Sequence, residues 1–417
     1  MTYLALASLA FLAALYSTGL KYLLHNRYAL LLPDVAFTSL LLLLAVREVR
    51  ERRGIRRENV PFLLATCAYL GIGILQIANP NVPSLLAGLE GFRKTCLYMS
   101  PAIIGLCLGW SPRTATRFVH ILAIAAVPLC LYGVKQFFFP STFDLQIPEQ
   151  NMAGDAVYNV FGVFRATSLF GSPFALGFMG NVVVAVGFYL ASVRTAAPWV
   201  WIVVCSGVAA IVVSLTRVSI LSGLVLAVVA PAFILRTHGW IVRAGASVLL
   251  LALVGWAVTL TPVGEQVAKS LDLRYLDEDR AYARFEGYDA GLSELARNPI
   301  TGYGSGSSGD GLDSYFAGHT YLPSSHNVLL KIAFELGLGG LLAFLLFSIS
   351  WVRIAIHRYR EAGGSAEKAL VGLAGCLFLV FVVQGASGSG IDNFPANGIT
   401  FFLMGLIAGL NTPCQST

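Results

Sequence analysis

The side chains with most chemical promise are one histidine and three arginines. His326 lies in Ser324-Ser325-His326-Asn327, directly before an apolar run. Ser324 and Ser325 are good N-cap candidates for a helix beginning near Asn327, which would leave His326 at a helix N-terminus. The dipole there disfavours the imidazolium, and nearby arginines push the same way. A neutral imidazole is what a general base requires; the alternative is an interfacial histidine that only caps or hydrogen-bonds. His319 is a rival seven residues earlier. Arg217 stands at a very tight turn between two apolar runs (SLTRVS), Arg165 in FRATSLFGSP and Arg284 in YARFEGY. A guanidinium suits bidentate capture of phosphate oxygens. Several on one face would form a pyrophosphate site that needs no metal, although each arginine alone could snorkel to lipid headgroups or pair with a carboxylate.

The elements that must position these groups are apolar helices. The 417 residues are 56% hydrophobic and 12% charged, about half the charge of an ordinary soluble domain. A span needs about 20 apolar residues. Twelve candidates fall near 3–24, 28–46, 60–79, 95–110, 117–139, 172–192, 198–215, 218–235, 241–261, 327–352, 367–387 and 394–411, the fourth being short and open to a tilt or break. The first has no basic leader and reads as a retained span rather than a cleaved signal. Alternation puts every short basic loop on one side, beginning with Arg47, Arg50, Arg52, Arg53, Arg56 and Arg57. By the positive-inside bias that side is cytoplasmic, as are both termini. The net charge of +6 therefore reads as topology, not as a nucleic-acid surface. The seven cysteines show no CxxC or Cys/His spacing, which argues against a disulfide framework or structural zinc.

The expected architecture is an all-α polytopic membrane protein: spans one to nine over 1–261, a large outer loop over 262–326, and spans ten to twelve over 327–417. Within the loop, Tyr282, Phe285, Tyr288, Leu292 and Leu295 recur every three or four residues, so Asp279–Asn298 reads as an amphipathic helix stopped by Asn298-Pro299. It would lie across the outer mouth of the bundle. Gly304-Ser-Gly306-Ser-Ser-Gly309 is a literal GxGxxG, but it lacks the strand–helix context of a dinucleotide site and reads as a flexible hinge or lid. Asp277-Glu-Asp279 reads as the charged start of the amphipathic helix rather than a metal motif. Lys331 and Glu335 are spaced for an i,i+4 pair; Lys331 could instead help hold an anionic group about 1.5 turns below His326. Asp392 would face the same side.

These residues carry a family resemblance. His326-Asn327, nine residues, then Gly337-Leu-Gly-Gly340 resembles the signature of the O-antigen ligase family. That family is grouped with O-antigen polymerases and protein O-oligosaccharyltransferases. NPITGYGSG before the histidine and the arginine of SLTRVS look like the same group, and the large loop before the tenth span extends the likeness. The resemblance implies a GT-C-like membrane glycosyltransferase, without a cofactor, working on the periplasmic face of the bacterial inner membrane. Its donor would be a glycan on undecaprenyl pyrophosphate and its acceptor a sugar of lipid A–core. By matching position, Arg217 and Arg284 would bind the pyrophosphate and His326 would deprotonate the acceptor. Arg165, Asn327 and Lys331 are expected to contact substrate, Arg165 from topology and not from a motif. A polymerase, or a transporter of the lipid-linked glycan with buried charge and broken helices, is the competing expectation.

Overall fold

The computed structural model describes residues 2–51, 55–150, 159–160, 163–193, 197–235, 278–309, 312–322, 327–386, 388 and 390–410, and the single positions 245, 249, 253, 256 and 260. Among the described residues the chain is a bundle of helices with one two-stranded hairpin, β1 (Asn159–Val160) and β2 (Val163–Phe164). The helices are α1 (Thr2–Leu23), α2 (Leu32–Glu51), α3 (Val60–Gln76), α4 (Leu85–Thr95), α5 (Pro101–Leu108), α6 (Pro112–Phe138) and α7 (Thr142–Gln150). There follow α8 (Pro173–Val193), α9 (Trp199–Val213), α10 (Arg217–Ala230), α11 (Glu278–Arg297), α12 (Val328–Glu361), α13 (Ser365–Ala386) and α14 (Ala396–Gly409).

Among the described residues eight helices are long and apolar enough to cross a membrane, and α9 and α14 are shorter apolar helices. This is a multi-pass membrane protein. The expected ninth span, 241–261, lies largely outside the described residues. The expected fourth, 95–110, is not one spanning helix. A 3-10 turn at Leu97–Met99 precedes Pro101, which opens α5, and Gly109 ends α5 in the left-handed conformation (φ 57°). Proline fits a helix start because it has no N–H to lose there, and glycine carries a positive φ without steric cost. The eight-residue α5 instead packs tightly on α14: a Cβ on Gly405 would overlap the Ala102 carbonyl, and one on Gly105 the Phe402 carbonyl.

Polar contacts sort the helix ends into two sets. At one end Arg47 donates to the Cys107 carbonyl, Arg358 pairs with Glu58 at 2.6 Å, and Asn59 donates to the Ala408 carbonyl at 2.8 Å. At the other end Arg93 pairs with Asp34 at 2.5 Å and Thr95 bonds Glu335 at 2.7 Å. The first set is the arginine-rich end and the second is the loop end, so the alternation read from the sequence holds for the helices that make these contacts. Between them α8 is apolar all round and buried along nearly its whole length, as a central helix should be.

Beside the loop end, the Asp144 side chain folds back on Ser141 at the start of α7. Asp144 is fully buried and accepts from the backbone and hydroxyl of Ser141, both at 2.7 Å, from Tyr132 and from Lys135, both at 2.6 Å. Burial alone would raise its carboxyl, but these hydrogen bonds outweigh burial and hold it below the ordinary carboxylate range. A depressed folded pKa adds stability above the unfolded pKa of about 3.9, and that stability is lost as pH falls through the folded value. The thermal midpoint in detergent should therefore fall on acidification below about pH 4, with a smaller fall in Asp144→Asn, whose starting midpoint is already lower. Equal acid sensitivity in the two proteins would remove Asp144 as a source.

Candidate active site at a broken helix

The first turn of α12 is capped by Asn327. Asn327 is extended (φ −147°, ψ 120°) and its side-chain oxygen accepts from the amides of Leu329 at 2.9 Å and Leu330 at 3.1 Å. Asparagine is as good an N-cap as serine, and here it lies nearer the helix. Its amide nitrogen reaches the Ala386 carbonyl at 3.5 Å, at the end of α13. His326 immediately precedes this cap in sequence; it and the two serines lie outside the described residues.

Ten residues further, α12 is broken. Gly337 has φ 68° and ψ −176°, a conformation open to glycine alone at little cost. The break frees backbone groups that must find partners. They find them in the NPITGYG loop: Tyr303 N–H donates to the Phe334 carbonyl at 2.8 Å, Gly304 N–H to that of Glu335 at 3.0 Å, and Leu338 N–H to that of Pro299 at 2.8 Å. The loop lies so close that a Cβ on Gly337 would overlap the Ile300 carbonyl, and one on Gly302 (φ 60°) would sit 2.6 Å from the Gly337 nitrogen. Tyr303 stacks on Phe334 with centroids 4.7 Å apart and donates to the Glu294 carboxylate at 2.6 Å, which ties the loop to α11. The helix expected over 279–298 is α11. It meets α12 at Gly291, where a Cβ would press on Leu330 and Leu322.

The GxGxxG segment is not a lid. Residues 304–309 are all buried. A Cβ on Gly91 of α4 would overlap the Gly306 backbone, and Ser305 is held from α3 by the Gln76 and Gly73 carbonyls. Glycines at 304, 306 and 309 all have positive φ, from 88° to 107°. They allow a tight turn and close packing, where composition alone suggested flexibility.

Under this loop sits a buried charge cluster. Lys331 Nζ lies 3.2 Å from Glu335, 3.1 Å from Asp392 and 2.6 Å from the Ser308 carbonyl. Lys331 is 2% exposed and Glu335 0%, and Glu335 also accepts from Thr95 and, at 3.3 Å, from the Ser308 amide. The i,i+4 pair is thus formed. Two carboxylates and a carbonyl of the protein's own surround the ammonium. Asp392 gave no local signal, because its partner lies 61 positions away in the chain.

Arg217 opens α10, partly exposed. Two residues on, Ser219 is bonded by Gln384 of α13 at 2.9 Å. Gln384 and Ala386 belong to one turn, so the helix starts that carry Arg217 and Asn327 are fastened to the same end of α13. Arg165 is buried at 6% exposure. Its Nε donates to the Ser214 carbonyl at 3.1 Å and Nη2 to the Thr216 hydroxyl at 2.8 Å, with Phe174 under the guanidinium. Arg284 belongs to α11, and its side chain lies outside the described residues.

Residues 182–345 match the family model described as O-antigen ligase. The chain carries an O-antigen ligase family domain. That domain holds Arg217, Arg284, the NPITGYG loop, His326-Asn327 and the break at Gly337, whereas Arg165 and Asp392 fall outside it. No curated protein matches the chain. In the ligase-family domain the two halves of the motif meet in space, since its glycines create the break that the loop fills. Gly337→Ala should lose folded protein or lower the thermal midpoint by several degrees, because overpacking costs about 1–3 kcal/mol and the left-handed backbone adds to it. Gly375→Ala, where a Cβ meets nothing within 4 Å, is the matched control; equal behaviour of the two would refute the docked-loop account.

Proposed function

We propose that this protein is an O-antigen ligase that transfers a glycan from undecaprenyl pyrophosphate to a sugar hydroxyl of lipid A–core, at the periplasmic face of the bacterial inner membrane. The observation that carries the reading is the shared anchorage just described. Arg217 and the Asn327 cap, next to His326, hang from one turn of α13 through Gln384 and Ala386. The two helix starts that bear these sequence positions are thus fastened to one end of α13.

In the proposed reaction His326 removes the proton from the acceptor hydroxyl. The oxygen attacks the anomeric carbon as the bond from that carbon to the pyrophosphate oxygen breaks. Negative charge grows on the departing pyrophosphate, where Arg217 and Arg284 stabilise it. The donor arrives already activated, so no ATP is consumed, and the bundle orients two lipid-anchored reactants. Asn327 contributes by fixing the helix start beside the histidine, and Lys331 by holding the broken half-helix to Asp392. The filled break also weighs against a transporter: the carbonyls of Phe334 and Glu335 are taken by the loop, whereas transporters use such carbonyls to hold ions.

The test is glycan transfer by purified protein in detergent, with a polyprenyl-pyrophosphate glycan, lipid A–core and EDTA. Wild type should transfer. His326→Ala should lose about 10²–10⁴-fold in kcat, and Arg217→Ala should lose turnover and raise donor KM. Chain growth on the polyprenyl carrier without transfer to lipid A–core would assign a polymerase instead. Unimpaired His326→Ala would end the general-base role.

A further inference from the structure

We propose that Arg165 is a positioning residue that sets the donor-binding arginine by gripping the turn before it. The inference rests on the reading of Arg217 as a ligand of the donor pyrophosphate. Only Ser214, Leu215 and Thr216 separate α9 from Arg217. Leu215 has φ 48°, a left-handed backbone that leucine disfavours and that persists only where its surroundings enforce it.

Arg165 supplies that enforcement. Its planar fork spans the turn, from the Ser214 carbonyl to the Thr216 hydroxyl. Both attachment points lie within three residues of Arg217. The adjoining Ala166 N–H donates to the Val213 carbonyl at 3.3 Å, so the segment docks along the end of α9 as a short backbone splint. The splint is itself fixed from α6: the Gln136 side-chain oxygen accepts from the amides of Thr167 and Ser168, both at 2.8 Å, and Ser168 donates to the Leu129 carbonyl at 2.6 Å. From the other side Gly177 of α8 packs so closely that a Cβ would overlap Ser219. The turn is therefore held on two sides, and the guanidinium of Arg165 is the charged member of that hold. A lysine has one point charge and cannot bridge two acceptors with a rigid fork.

The experiment is a double-mutant cycle on donor KM in the detergent transfer assay, using Arg165→Ala, Arg217→Ala and the pair. Arg165→Lys and Thr216→Val are the milder variants, and gel filtration checks the folded state of each. Arg165→Ala is expected to raise donor KM about tenfold, the worth of one charged hydrogen bond, with acceptor KM unchanged. Arg165→Lys and Thr216→Val should move donor KM in the same direction. In the Arg217→Ala background the Arg165 substitution should add nothing, since its effect passes through the residue already removed. Effects that multiply across the pair would overturn the proposal and make Arg165 a direct donor ligand. A general loss in which acceptor KM rises equally would overturn it in favour of a bulk packing role. Unchanged donor KM in Arg217→Ala alone would fail the underlying reading of Arg217, and that result is told apart by the single variant without the cycle.

Discussion

The structure depends on one accounting constraint: a helix interrupted inside an apolar bundle exposes backbone N–H and C=O groups that water cannot reach. At Gly337 those groups are answered by residues 299–304. Once the NPITGYG loop is committed to the break, its continuation is committed too. Residues 304–309 are drawn between α3, α4 and α12, and α11 is tied to the bundle through Tyr303 and Gly291. The described part of the cap above the helices is thus an extension of one helix's unsatisfied backbone.

The same arrangement explains why a lysine and a glutamate are tolerated at almost complete burial. Isolated charges there would be prohibitive, and even a single pair recovers its desolvation only with good geometry and further hydrogen bonds. Lys331 has two carboxylates and a carbonyl, and Glu335 adds the Thr95 hydroxyl and the Ser308 amide. Those partners come from α4, the 304–309 loop, α12 and the Gly390–Asp392 turn. Apart from α12, which supplies both Lys331 and Glu335, each contributing segment is separate in the chain, so the cluster forms only when all four are in place.

Much of this was legible in the sequence, and the failures have physical causes. The amphipathic helix appeared within a residue of its position because one face alternates at helical spacing around apolar anchors. The i,i+4 pair was readable for the same local reason. The break left open at the fourth span falls just before Pro101, a helix start that hydropathy does not register. Serine and asparagine cap equally well by type, so only the extended backbone of Asn327 shows where α12 begins. The Gly/Ser run looked like a lid because glycine permits both looseness and close approach, and only a neighbour such as Gly91 tells which. Asp392 and the grip of Arg165 on the 214–216 turn involve partners distant in sequence, which spacing cannot reveal.

Asn327 and Gly337 sit at the two ends of a continuous stretch of α12, and each is bound to a different neighbour, Ala386 on one side and the 299–304 loop on the other. Each residue of an α-helix turns the next by about 100°. The nine residues between them therefore act as an angular gauge. One residue more or fewer would swing the capped end a quarter turn or more away from α13 while the break stayed docked. The fixed count in the signature is then a phase relation between two contacts, which helix propensity and hydrophobicity by themselves would leave free to drift.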